Sequence, residues 1–96
     1  MMKNVDVEIY INQFVSFFEN NPNDLMSLIG EIDKNIFYDK VKNQCYKNLD
    51  AGDDISVTRQ QLIDIIVEIK GGGKPIKTLE IDKIFKKTNY GYFCLN

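Results

Sequence analysis

The chain has no histidine and no tryptophan, and only one arginine, two cysteines and two prolines among its 96 residues. Without histidine, the commonest general base and the commonest zinc ligand are both missing. Ser-His and Cys-His nucleophilic schemes and most zinc sites therefore cannot be assembled. Cys45 and Cys94 belong to no CxxC motif, which argues against a zinc ribbon, a thioredoxin-like site and a multiply bridged secreted scaffold. Two reduced, mostly buried thiols are expected instead. Apolar runs are broken every few residues by Asp, Glu, Asn or Lys, well short of the roughly 18 apolar residues that a membrane span needs. The start, Met1-Met2-Lys3-Asn4-Val5-Asp6-Val7-Glu8, lacks the apolar run and small-residue cleavage site of a signal peptide. These absences predict a cytoplasmic, non-enzymatic chain with no membrane span, no metal and no cofactor.

What is present suffices for one domain over residues 1–96, since 44% of the residues are hydrophobic and 11% aromatic. Val7, Ile11, Phe14, Val15 and Phe18 recur at helical spacing, which predicts a first helix from about Val5 to Asn20. Asn21, Pro22 and Asp24 then start a short second helix that carries Leu25, Met26, Leu28 and Ile29 and stops at Gly30. The two form a helical hairpin extension over residues 1–30. Asp33 caps a third helix with Phe37, Val41 and Cys45 inward, supported by Ile36, Gln44 and Leu49, and Gly52 ends it. Ile55-Ser56-Val57 is short and β-branched and predicts a brief strand. Thr58 caps a fourth helix, Arg59 to about Lys70, whose Leu62, Ile63, Ile65, Ile66, Val67 and Ile69 predict deep burial. Gly71-Gly72-Gly73-Lys74-Pro75 is a linker. A fifth helix from about Thr78 to Lys87 turns Ile81, Ile84 and Phe85 inward, and Tyr92-Phe93-Cys94-Leu95 predicts a closing strand.

Charge is segregated along the chain. Residues 1–69 carry five Lys and one Arg against twelve acids, a net of −6, and residues 70–96 carry six Lys against two acids, a net of +4. The stated total of −2 hides this division. A basic segment on an acidic body can meet a polyanion, although eleven Lys against one Arg also follows from an AT-rich genome. Lys74, Lys77, Lys83, Lys86 and Lys87 can track a phosphate backbone by releasing counterions, and the lack of Arg among them disfavours base readout. Arg59 and Gln60 sit at a helix N-terminus, where backbone N–H groups also receive phosphate. Tyr90 could stack on a base.

Other patterns carry less. Gly71-Gly72-Gly73-Lys74 follows a helix and precedes Pro75, so it is not a phosphate-binding loop. Asp50, Asp53 and Asp54 lack the glycine and the terminal bidentate Glu of a calcium loop. Asp64 and Glu68 share a helical face and read as its solvated side.

The element order over residues 33–96 is helix, short strand, buried helix, turn, basic helix and aromatic strand. Together with the tail Phe85-Lys86-Lys87-Thr88-Asn89-Tyr90-Gly91-Tyr92-Phe93-Cys94-Leu95, it resembles a winged-helix domain. The resemblance implies a mainly α fold with a small two-stranded β element, in which Arg59–Lys70 is the supporting helix and Thr78–Lys87 the recognition helix, with Lys77, Thr78, Lys83, Lys86 and Lys87 as phosphate or groove contacts. It implies duplex DNA as the partner, in a regulatory role. Another expectation stands beside it: a protein-interaction module, or a homodimer, that docks through exposed Tyr10, Phe17 or Tyr38.

Overall fold

Val7, Tyr10, Ile11, Phe14 and Phe18 repeat at intervals of three and four residues, and only a helix gathers them on one face. In the computed structural model, which describes residues 4–71 and 78–88, they do so within α1 (Asn4–Asn20), each no more than 8% exposed. Four further helices follow: α2 (Pro22–Ile29), α3 (Lys34–Asp50), α4 (Arg59–Lys70) and α5 (Thr78–Thr88).

The boundaries have local chemical causes. Asp33 starts α3 by accepting the Asn35 amide at 2.9 Å, and Thr58 starts α4 through a full capping box with Gln61. Pro22 opens α2, but the Asn21 side chain does not cap it. The Asn21 Nδ2 instead donates back to the Phe17 carbonyl at 2.8 Å and closes α1. Gly30 takes a φ of 63° at the turn after α2, a left-handed value that a side chain would strain.

The helices share one core that runs from Val7 to Phe85. α3 lies between α1 and α4 and is antiparallel to both. Glu8 meets Lys42 and Tyr46 while Glu19 meets Lys34, and Lys40 meets Glu68 while Asn48 meets Gln61. α2 and α5 pack on each other and on α4. Rings from α1 and α3 fill the centre, where Phe14 lies 5.0 Å from Phe18 and 5.8 Å from Phe37 between centroids.

The expected mainly α fold with a two-stranded β element is corrected: the described residues are all-helical, with no strand or sheet among them. Ile55, Ser56 and Val57 are buried as the strand reading required, but as part of a loop. Side chains replace ladder partners there. The Val57 amide donates to the Tyr10 hydroxyl at 3.2 Å and the Ser56 amide to Asp54 at 2.9 Å. The expected closing strand, Tyr92–Leu95, lies outside the described residues, as does the linker from Gly72 to Pro75. Two burial expectations also change. Ile36 is 48% exposed while its neighbour Tyr38 is buried, and Val67 on α4 is 38% exposed, which leaves Leu62, Ile65 and Ile66 as that helix's core residues.

Two core groups set an alkaline limit on stability. Burial pushes the Cys45 thiol up to about 12, and burial together with the negative charge of Glu19 does the same for the Tyr38 phenol. The folded state thus favours the neutral form of both. Their contribution is fully present below the ordinary pKa values of 9.0 and 10.0 and is lost as pH rises from there towards 12. Urea midpoints should hold to pH 8 and fall steadily between pH 9 and 12. Cys45→Ala should delay the onset of that decline relative to its own pH 8 value.

Candidate functional site

α5 carries three of the lysines of the basic segment, Lys83, Lys86 and Lys87, together with Glu80 and Asp82, and its inward face is Ile81, Ile84 and Phe85, each no more than 4% exposed. The opposite face is set by the same period: Leu79, Lys83 and Lys86 follow at i, i+4 and i+7 and all three are exposed. Leu79 is 74% exposed. Glu80 and Asp82 flank this face.

The predicted contact residues divide into three groups. Arg59, Gln60 and Lys87 are exposed, but each pairs with a carboxylate of the same chain. The Arg59 Nε reaches Asp82 Oδ1 at 2.5 Å, with Nη2 at 3.5 Å from the second oxygen. The guanidinium holds the Asp82 carboxyl below its usual range, and Asp82 raises the Arg59 pKa in return. Gln60 donates to Asp64 at 2.9 Å. Lys87 meets Asp24 of α2 at 2.9 Å, tying the end of α5 to the start of α2. Lys83, Lys86 and Thr78 form the second group and stay on the surface. Lys83 is 69% exposed and reaches Glu80 only at 3.5 Å, a pair that contributes little. Lys86 adds a weaker charge effect on Asp82, and Thr78 is exposed at the start of α5. The remaining three, Lys74, Lys77 and Tyr90, lie outside the described residues.

No family model, no curated protein and no solved structure matches the chain. Among the described residues no helix is long and apolar enough to cross a membrane.

The aromatic docking residues expected for a protein partner are corrected. Tyr10 is 6% and Tyr38 8% exposed, and Phe17 is half-buried against the core. α1 and α3 consume these rings in their own packing. The exposed apolar groups are aliphatic instead, and Leu79 and Met26 are prominent among them. Both could have been found from sequence. A helical projection puts Leu79 directly opposite Ile81, Ile84 and Phe85, and puts Met26 off the stripe of Leu25, Leu28 and Ile29.

A second feature lies across α2 from α5. A groove of about 340 Å³ is floored by Leu25 and Ile29 and walled by Pro22, Met26 and Ile32, and Glu19, Glu31 and Lys34 stand at its rim. Lys34 and Glu19 pair there at 2.8 Å.

Proposed function

We propose that the chain is a non-enzymatic protein-interaction module that docks through the outer face of α5. The observation that carries this reading is Leu79, 74% exposed on the same face as Lys83 and Lys86. An aliphatic side chain gains about 1.5–3 kcal/mol from complete burial and gains nothing comparable from a phosphate backbone. An apolar anchor flanked by two cations fits a partner surface with an apolar pocket and an acidic rim.

Duplex DNA is the second reading. The net charge of +4 over residues 70–96 favours it, but the ion pairs of Arg59 and Lys87 weaken it. A phosphate-tracking surface depends on lysines that release counterions on binding, and Lys83 and Lys86 are the two surface lysines on this face among the described residues.

A photo-crosslinking residue substituted at position 79 tests the proposal in the cells that make the protein. Discrete protein adducts are expected, and Lys83→Glu with Lys86→Glu should abolish them. An absence of protein adducts would overturn the reading. A labelled DNA duplex titrated at low and moderate salt covers the second reading, and salt-sensitive binding that disappears in the same double variant would replace the first by the second.

A further inference from the structure

We infer that the partner of the α5 face is a second copy of this chain, which receives Leu79 in its own groove beside α2. The inference rests on the α5 face being a protein-docking surface and adds the identity of what it meets.

The two surfaces are complementary in shape and in charge. An apolar cavity of roughly 150 Å³ accepts a benzene-sized group, so a groove of about 340 Å³ floored by Leu25 and Ile29 has room for a leucine and part of its helix. Met26, 58% exposed on the groove wall, and Leu79, 74% exposed on α5, would cover each other. The donor face carries Lys83 and Lys86, while the rim of the receiving groove carries Glu31 and the Glu19–Lys34 pair. Glu31 is exposed and is engaged in no ion pair among the described residues. Contact between copies therefore brings a lysine to an available carboxylate.

A single chain cannot satisfy itself this way. Asp24 and Met26 are two positions apart on α2, roughly 200° around its axis. The Asp24 flank meets α5 through Lys87, and the Met26 flank lines the groove. α2 thus stands between its own α5 and its own groove. A twofold pair, each copy lending Leu79 to the groove of the other, is the arrangement that closes this contact at two copies.

Sedimentation equilibrium of the full chain is the test, over concentrations from about 1 µM to about 1 mM, the range of modest affinities. The mass should rise from 11.1 kDa towards twice that value. Leu79→Asp and Met26→Asp should each stay at the chain mass, and at about 1 µM, where the native chain too is monomeric, each should melt close to the native temperature, because both side chains lie outside the core. Lys83→Glu and Glu31→Lys should each weaken association at least tenfold, and an equimolar mixture of the two variants should recover it, since both contacts between positions 83 and 31 in the mixed pair join opposite charges.

A native chain that stays at 11.1 kDa throughout would overturn the inference. So would association that survives both aspartate substitutions, or a mixture that fails to recover. These outcomes are separable from failure of the docking surface. Adducts from position 79 to a different protein, with a monomeric native chain, would keep the α5 surface and reject the second copy as its partner.

Discussion

Phe14→Ala should remove a large part of the stability of this chain. Phe14 is fully buried and touches rings on both central helices, with centroids 6.2 Å from Tyr10, 5.0 Å from Phe18, 5.8 Å from Phe37 and 6.4 Å from Tyr38. Truncating a buried phenylalanine costs about 3–5 kcal/mol, part from lost transfer energy and part from the cavity left behind. Domains of this kind hold a total of about 5–15 kcal/mol, so the lower end of that range would be largely spent. At about 4–8 °C for each kcal/mol in a domain of this length, the melting temperature should fall by more than about 12 °C. The lost contacts join α1 to α3, and the remaining rings cannot close the gap without moving those helices. Phe17→Ala makes the informative comparison, because Phe17 is only half-buried, its ring edge-on to Phe18 at 5.2 Å between centroids. It should cost clearly less. Urea midpoints for the native chain and both variants, measured with an unchanged slope, would check the ordering. Equal losses at the two positions would show that the aromatic centre is not where the energy lies.

The helices were legible in the sequence because their causes are local. The spacing of Val7, Ile11, Phe14 and Phe18 and the chemistry of Asp33, Thr58 and Pro22 each act within a few residues. The loop at Ile55–Val57 was not legible as a loop. Its β-branched composition is that of a strand, and the group that satisfies the Val57 amide is the Tyr10 hydroxyl, 47 positions away. The same distance effect reshaped the reading of α5. Counting lysines gave a basic helix, but two of the predicted contacts are answered by acids far off in sequence: Lys87 of α5 by Asp24 of α2 across 63 positions, and Arg59 of α4 by Asp82 of α5 across 23. Leu79 differs, since its exposed position follows from helix period alone. The lysines drew attention to a phosphate ligand, whereas the residue that distinguishes this face from an ordinary solvated one is the leucine among them.

Asn48 carries the other large effect, through polar rather than apolar contacts. It is 4% exposed on α3 and joins α3, α4 and the loop between them. Its Nδ2 donates to Gln61 Oε1 at 3.1 Å and lies 3.5 Å from the carbonyls of Ile55 and Ser56. Its Oδ1 accepts from Gln61 Nε2 at 2.9 Å and Gln44 Nε2 at 3.0 Å. Gln61 cannot simply turn away when Asn48 is removed, because its Oε1 also holds the Thr58 amide in the capping box of α4. Asn48→Ala should therefore cost roughly 2–4 kcal/mol, the sum of a small cavity and partly buried groups left without partners. A double-mutant cycle with Gln61→Ala should return a coupling of about 1–3 kcal/mol. A value near zero would mean that the two amides are independent.

Asn48→Asp separates hydrogen bonding from packing, since the shapes match but the ionised carboxylate cannot donate. It would face three acceptors, Gln61 Oε1 and two carbonyls, as a fourth, so its folded pKa is raised above the ordinary aspartate value. Its protonated form can donate again. Stability lost at pH 7 should consequently return as pH falls towards the unfolded pKa of about 4. The native chain should show the opposite trend at acid pH. Glu8, Glu68 and Asp82 are held below their usual pKa by Tyr46, Lys40 and Arg59 as the leading partners, so their contribution is present above the ordinary carboxylate range and is lost as they protonate. Unfolding midpoints that converge between pH 7 and pH 5 would identify the Asn48 donor as the group that fastens the loop, whereas a constant gap would assign the loss to packing.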